Sequence, residues 1–236
     1  MDEKHPVHPA ADAVDMDHTA HPPANTVLND AEWCGGPPPR RRSTTVCLND
    51  YDGTVPGQIP DPAWNGDERT TLTGFLEDQR STLAWKCQGL SDAQLKTPSV
   101  PPSSLTLLGL VRHMAEVERS WFRRRLSAEP IGRIWCTEAQ PDADFDSVAA
   151  ADVAEAFSRW GDECRIARSI LKDLDSLDVT FSTPDYLEMS ARCMVNHMIE
   201  EYSRHNGHAD LIRERIDGKT GDFPSPEEQV PLPGQD

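Results

Sequence analysis

The sequence predicts an all-α protein whose core is a four-helix bundle. Four long segments carry apolar residues at the three- and four-residue spacing of an amphipathic helix. After residue 67, no run alternates apolar and polar residues as a half-buried β-strand requires. An acidic, turn-rich stretch separates the second segment from the third, and its length favours a crossover between parallel helices over a tight hairpin.

Side chains that can cap free backbone groups define the ends of these helices. Asp67 precedes the first apolar-periodic run and Gly89 closes it. A short capped turn is expected at residues 91–95, before a proline-rich link. The four predicted helices span residues 67–89, from Ser103 or Ser104 to about Leu126, from about Ala151 to Leu174, and from Met189 or Ser190 to about Gly218.

The chain of 236 residues divides into three predicted parts, with one well-cored domain. Residues 1–62 hold half of the 20 prolines and show no sustained apolar periodicity, which predicts a disordered or loosely docked extension. The predicted helical domain covers residues 63–222, and residues 223–236 form a C-terminal tail.

Charge and composition exclude several classes of partner. The formal net charge of −17 repels the phosphates of nucleic acids and an anionic membrane surface, so neither is expected to bind. No run of 18 apolar residues and no secretion signal is present, which predicts a cytoplasmic protein. The six cysteines are scattered without a C-x-x-C pair, which indicates reduced thiols rather than a disulfide framework.

The fourth predicted helix carries a face rich in imidazole and carboxylate groups. The helical period places His197, Glu201, His205 and His208 along that face. Burying these groups among methionines and leucines without a metal would leave several donors and a charge unsatisfied. The pattern therefore predicts a metal site.

A histidine of the second predicted helix, His113, lies among apolar residues at helical spacing and can add a ligand from a neighbouring helix. With Glu201 and His205 it makes a His, Glu, His set, and three protein ligands with one open position are typical of catalytic zinc. The same donors suit nickel, iron, cobalt or manganese. Spacing leaves His197 and His208 open as alternative ligands or as groups that support the ligands.

Other charged residues nearby have plainer interpretations. Glu116 and Glu118 can serve as proton acceptors, but exposed helix charges are the more common explanation. The run Arg123–Arg125 is interpreted as a solvated helix end rather than a phosphate site.

Three segments carry a resemblance to a known superfamily: LTGFLEDQRSTLAWKCQGLSDAQL, SVPPSSLTLLGLVRHMAEVERSWF and HMIEEYSRHNGHADLIRERIDGKTG. With DVAEAFSRWGDECRIAR from the third helix, they resemble the DinB-like superfamily of metal-binding helical proteins. Within it, the sequence is similar to the actinobacterial branch related to mycothiol-dependent enzymes, the mycothiol S-transferases and maleylpyruvate isomerase. The resemblance covers residues 66–222 and not the N-terminal extension.

The resemblance implies an up-down-down-up bundle of DinB type and a metal site. Laid onto this sequence, the ligand pattern of mycothiol-dependent maleylpyruvate isomerase falls on His113, Glu201 and His205. His208 then becomes a candidate either to support the ligands or to face the substrate, and Trp121 and Tyr202 become candidates to line a pocket for mycothiol. The expected cofactors are a divalent metal, zinc first, and mycothiol as co-substrate.

The function predicted first is a metal-dependent thiol transferase or isomerase, in which a metal-bound thiolate attacks an electrophilic small molecule. A non-enzymatic metal-binding stress or partner-binding protein is the alternative from another class. A third hypothesis keeps the metal but acts on a specialised metabolite without a thiol. The expected partners are therefore a thiol and an electrophile, and a homodimer is left open.

Overall fold

A computed structural model describes residues 65–183 and 188–221 of the chain. The predicted extension at residues 1–62 and the predicted tail at 223–236 lie outside the described residues, so the division into three parts stays a prediction. Within the described residues the protein is mostly helical, which confirms the predicted all-α class.

The long helices agree closely with the predicted segments. The helices are α1 (Glu68–Cys87), α2 (Asp92–Leu95), α3 (Leu107–Glu118), α4 (Ala143–Asp146), α5 (Val153–Asp173) and α6 (Ala191–Asp217). A π-helix, Arg119–Leu126, continues α3, and a single 3₁₀ turn, Val148–Ala150, precedes α5. The antiparallel strands β1 (Thr180–Phe181) and β2 (Met189–Ser190) were not predicted, because two residues are too few to show an alternating pattern.

Side-chain caps explain where the long helices begin and end. Asp67 accepts the backbone N–H of Thr70 at 2.8 Å at the start of α1, as predicted. Gly218 closes α6 in the left-handed conformation, with a φ of 79°. The predicted cap of the second helix is wrong: Thr106 caps α3, while Ser103 accepts a hydrogen bond from Leu105 in the turn before it.

The helices pack in two main pairs, α1 against α6 and α3 against α5. A continuous apolar core joins them, and its largest fully buried apolar side chains include Trp160, Phe122, Met114 and Met194. The up-down-down-up course of a four-helix bundle stays a prediction.

A charged network lies inside this core. Arg80 and Glu118 are both fully buried and form a bidentate pair with distances of 2.8 and 2.7 Å. Arg80 also donates to Glu77 at 2.6 Å, and the Tyr202 hydroxyl donates to Glu118 at 2.8 Å. The interpretation of Glu118 as an exposed helix charge is therefore wrong, because its carboxylate neutralises a buried arginine.

The arginine run after α3 is also more enclosed than a solvated helix end. Arg123 pairs with Glu129 at 2.8 Å and with Glu163 at 3.1 Å. The guanidinium of Arg125 lies 4.5 Å from the ring centroid of Trp121. The sequence interpretation is wrong for these two arginines, because both are partly buried: Glu129 and the distant Glu163 hold Arg123, and the ring of Trp121, one helical turn earlier, holds Arg125.

Two further expectations concern cysteines and membrane segments. The cysteines that the structure describes, at positions 87, 136, 164 and 193, are free thiols. Among the described residues, no helix combines the length and the apolar composition that crossing a membrane requires.

Candidate metal centre

Three predicted ligands come together between α3 and α6. One ligand atom from each of His113, Glu201 and His205 lies within 4.8 Å of the others. Glu201 and His205 are one helical turn apart on α6, and the ring centroids of His113 and His205 are 4.8 Å apart. The side chains of His113, Glu201 and His205 are 25%, 27% and 12% exposed, so the cluster is partly accessible to solvent.

Glu201 lies between two imidazole rings. Its Oε2 is 3.5 Å from Nε2 of His205, and its Oε1 is 3.3 Å from Nε2 of His197. His197 also contacts the ring of Trp121, with centroids 4.6 Å apart. His197 therefore faces the other carboxylate oxygen of Glu201, and it lies outside the three-residue cluster.

His208 lies beside His205, with ring centroids 5.5 Å apart. Within the described residues, Nδ1 of His205 and Nδ1 of His208 are buried and have no hydrogen-bond partner. The three-residue cluster does not include His208, and its role as an alternative ligand stays a prediction.

The donor set fits a small divalent cation. A tetrahedral zinc ion bonded to nitrogen and oxygen at about 2.0–2.2 Å holds its ligand atoms roughly 3.3–3.6 Å apart, so side-chain adjustments of roughly 1 Å would bring these donors into range. Two neutral imidazoles and one carboxylate match the ligands that zinc takes in catalytic sites. His113, Glu201 and His205 are the residues that would hold the metal.

The surroundings of His205 favour the neutral form of its ring, which is the form that can bind a metal. Burial first, and then repulsion from His113, His208 and Arg204, lowers the pKa of His205 from 6.5 to about 4. The ring is therefore neutral at physiological pH, and a neutral imidazole is the form that binds a metal.

We expect the metal-free protein to become more stable as the pH rises from about 4 to 6.5, because the unfolded chain protonates His205 in this interval and the folded chain does not. An NMR titration of the ring protons should give a midpoint near 4 for His205. Urea unfolding of His205→Gln serves as the control, because the variant should lose this part of the pH dependence. A midpoint above about 6 would contradict the assignment.

His113 has a carboxylate partner that the sequence did not single out. Its Nδ1 lies 2.8 Å from Oδ2 of Asp144, and its ring stacks on Phe145 with centroids 4.8 Å apart. Burial opposes the ionisation of Asp144, but the hydrogen bond and charge of His113 outweigh it and hold the pKa of this carboxyl below its usual value. Asp144 is therefore a carboxylate beside the candidate ligand.

Glu116 also differs from the expectation. It is buried, and its Oε1 accepts the backbone N–H groups of Ile134, Trp135 and Cys136 at 2.9, 2.7 and 2.9 Å. Its interpretation as an exposed helix charge is therefore wrong, because it anchors the segment that leads to Asp144.

The two aromatic candidates have different surroundings. Trp121 is partly exposed beside His197, on the same side of α6 as Glu201. Tyr202 is fully buried, and its hydroxyl donates to Glu118 and accepts from Nε1 of Trp160 at 2.8 Å. The expectation that Tyr202 lines a pocket is wrong, because its position on α6 turns it into the core.

The model of a family described as "MST: Mycothiol-S-transferase" matches residues 71–218, a range that contains all three clustered ligands and Asp144. Searches of curated proteins and of solved structures give no match to the chain.

Proposed function

Because the chain belongs to the mycothiol-S-transferase family, we propose that it is a divalent-metal-dependent transferase that joins mycothiol to an electrophilic small molecule. Zinc is the metal that we propose first. The observation that supports the proposal most directly is the partly exposed cluster of His113, Glu201 and His205.

The ligand set suits the activation of a thiol. A bound divalent cation lowers the pKa of a coordinated thiol and so supplies a thiolate nucleophile at neutral pH. A divalent cation would bring two positive charges, Glu201 brings one negative charge and histidines bind a metal as neutral imidazoles, so the cation with its three ligands would carry one positive charge that attracts an anionic sulfur. In the proposed reaction the sulfur forms a bond to an electrophilic carbon, and the leaving group departs with the bonding electrons.

Residues beside the cluster are proposed to hold the reactants. Trp121 has a partly exposed indole ring that contacts His197. His208 is a polar residue that contacts His205. We propose that these groups border the space for mycothiol and the electrophile. Tyr202 is not part of this proposal, because its hydroxyl is engaged in the core.

The test uses the zinc-loaded full chain with mycothiol and monobromobimane, whose bromide leaves when the thiol attacks. If the thiol pKa falls from about 8.5 to about 7, its thiolate fraction at neutral pH rises roughly tenfold, and we expect an acceleration of up to about that size from this effect, since a thiolate of lower pKa is also a weaker nucleophile. Formation of the fluorescent conjugate measures the rate. Cysteine and glutathione in place of mycothiol serve as matched controls.

The other outcomes separate the competing functions. Bound metal without thiol-dependent conjugation across several electrophiles would overturn the proposal and favour a metal-binding protein without this activity. Turnover of an electrophile at the same rate with and without mycothiol would also overturn it, and would favour a metal-dependent enzyme that uses no thiol.

A further inference from the structure

One face of α3 contacts the segment that connects α3 to α5. Gly109, Arg112, His113 and Glu116 follow the spacing of three and four residues that aligns side chains on a helix. All four contact residues 134–146, a segment that we call the strap. Because a candidate metal ligand belongs to this face, the strap is in a position to act on the metal site.

The two ends of the strap are held by opposite charges on α3. Glu116 binds the backbone N–H groups at its start, as described above. Arg112 donates to the carbonyl oxygens of Ala143 and Asp144 at 2.8 and 2.9 Å, and its guanidinium lies 4.3 Å from the ring centroid of Trp135. These charged groups are buried, so they fix the strap backbone on both sides of His113.

Gly109 allows the strap to approach α3 closely. A Cβ atom at this position would lie 3.0 Å from the ring of Phe145, which is tighter than ordinary van der Waals contact. Phe145 stacks on His113, which lies one helical turn after Gly109 on α3. The glycine therefore leaves room for the residue that stacks on the imidazole.

Asp144 is itself held in place. Its side chain is buried, and its Oδ1 accepts the backbone N–H of Phe145 at 3.1 Å. Its Oδ2 faces Nδ1 of His113 at 2.8 Å. The carboxylate therefore has a defined orientation that does not depend on His113.

This geometry points to Asp144 as a positioning residue for the metal site: it accepts a hydrogen bond from the Nδ1–H of His113 and thereby presents the Nε2 lone pair to the cluster with Glu201 and His205. The inference rests on the proposed function, since it gives the strap a role in that same site.

The physical reason is the chemistry of a neutral imidazole. Such a ring has one N–H donor and one acceptor nitrogen, and an ionised carboxylate can only accept, so Asp144 selects the form protonated at Nδ1. A carboxylate behind a ligating histidine also raises the basicity of the ligand. Loss of such a partner typically weakens metal binding by about 10- to 100-fold.

The first experiment examines the metal-free full chain by ¹⁵N NMR of its histidine rings, at a pH where they are neutral. We expect His113 to be protonated at Nδ1 and unprotonated at Nε2. The opposite form would overturn the inference, whatever the activity of the protein. This measurement needs no variant and therefore no assumption about folding.

The second experiment compares Asp144→Asn with Asp146→Asn, an exposed aspartate on the same short helix. We expect Asp144→Asn to weaken zinc binding by about 10- to 100-fold in a chelator competition, and Asp146→Asn to leave it unchanged. The absorption spectrum of the cobalt-substituted protein should also change for Asp144→Asn, and thermal unfolding shows whether the variant is folded.

The outcomes distinguish the inference from the proposed function. Equal zinc affinity of Asp144→Asn and the unmodified chain would overturn the positioning role while leaving the metal site intact. Failure of the unmodified chain to bind zinc would overturn the proposed function, and the NMR result would still decide the state of His113. Should Asp144→Asn not fold, the NMR result alone decides the inference.

Discussion

We expect Arg80→Met to reduce the free energy of unfolding by about 3–5 kcal/mol, because it leaves the fully buried carboxylate of Glu118 without its countercharge. After the change, Glu118 would retain the hydroxyl of Tyr202, which is a neutral donor. The loss is a large part of the total stability of about 5–15 kcal/mol that is typical of a folded domain. Urea unfolding monitored by tryptophan fluorescence measures it.

Arg165→Met is the matched control for this prediction. Arg165 is 58% exposed and pairs with Asp162 one turn away on α5, so its removal should cost less than about 1 kcal/mol. The double variant Arg80→Met with Glu118→Leu should recover part of the lost stability, because it removes both charges from the core. A cost below about 1 kcal/mol for Arg80→Met would show that the network does not stabilise the fold as described.

We expect His205→Ala to lose more than about 100-fold in zinc affinity, because removing a ligand should cost at least as much as removing a group that only orients one. Conjugation of mycothiol should fall to the rate of the metal-free protein. Isothermal titration with zinc and the bimane assay measure the two effects. Glu201→Gln and His113→Ala should behave in the same way, since each removes another member of the cluster.

His208→Ala is the control that tests the choice of ligands. His208 lies on the same helix and contacts His205, but it is outside the cluster, so we expect this variant to retain its zinc. His197→Ala should also retain zinc, because His197 faces the other oxygen of Glu201. Equal losses of zinc in His205→Ala and His208→Ala would contradict the assignment.

Local chemistry explains why much of the helical structure could be predicted. Asp67 and Gly218 end their helices through hydrogen bonds and conformations that involve only neighbouring residues. The pairing of Glu201 with His205 follows in the same way from the helical period. The cap of α3 could not be predicted as reliably, because Ser103 and Thr106 offer similar hydroxyl groups a few residues apart.

The surroundings of the site could not be predicted in this way. Glu118 binds Arg80, which is 38 positions away in the chain, and His113 binds Asp144 over a separation of 31. No periodic pattern links such residues. The strap contains several acidic residues, and nothing in its sequence distinguishes Asp144, which is buried, from the others, which are exposed. A glutamate near the end of a helix, such as Glu118, is therefore predicted to be exposed when its partner cannot be identified from the sequence.

The sequence by itself determined which residues form helices, and it placed Glu201 and His205 on one face of α6, because helix formation and side-chain spacing depend on close neighbours. Only the tertiary structure decided that His113 meets this pair, that Asp144 lies behind His113, and that Tyr202 faces the core. Those relations depend on how distant segments pack, and packing balances the burial of apolar surface against the need of every buried charge for a partner.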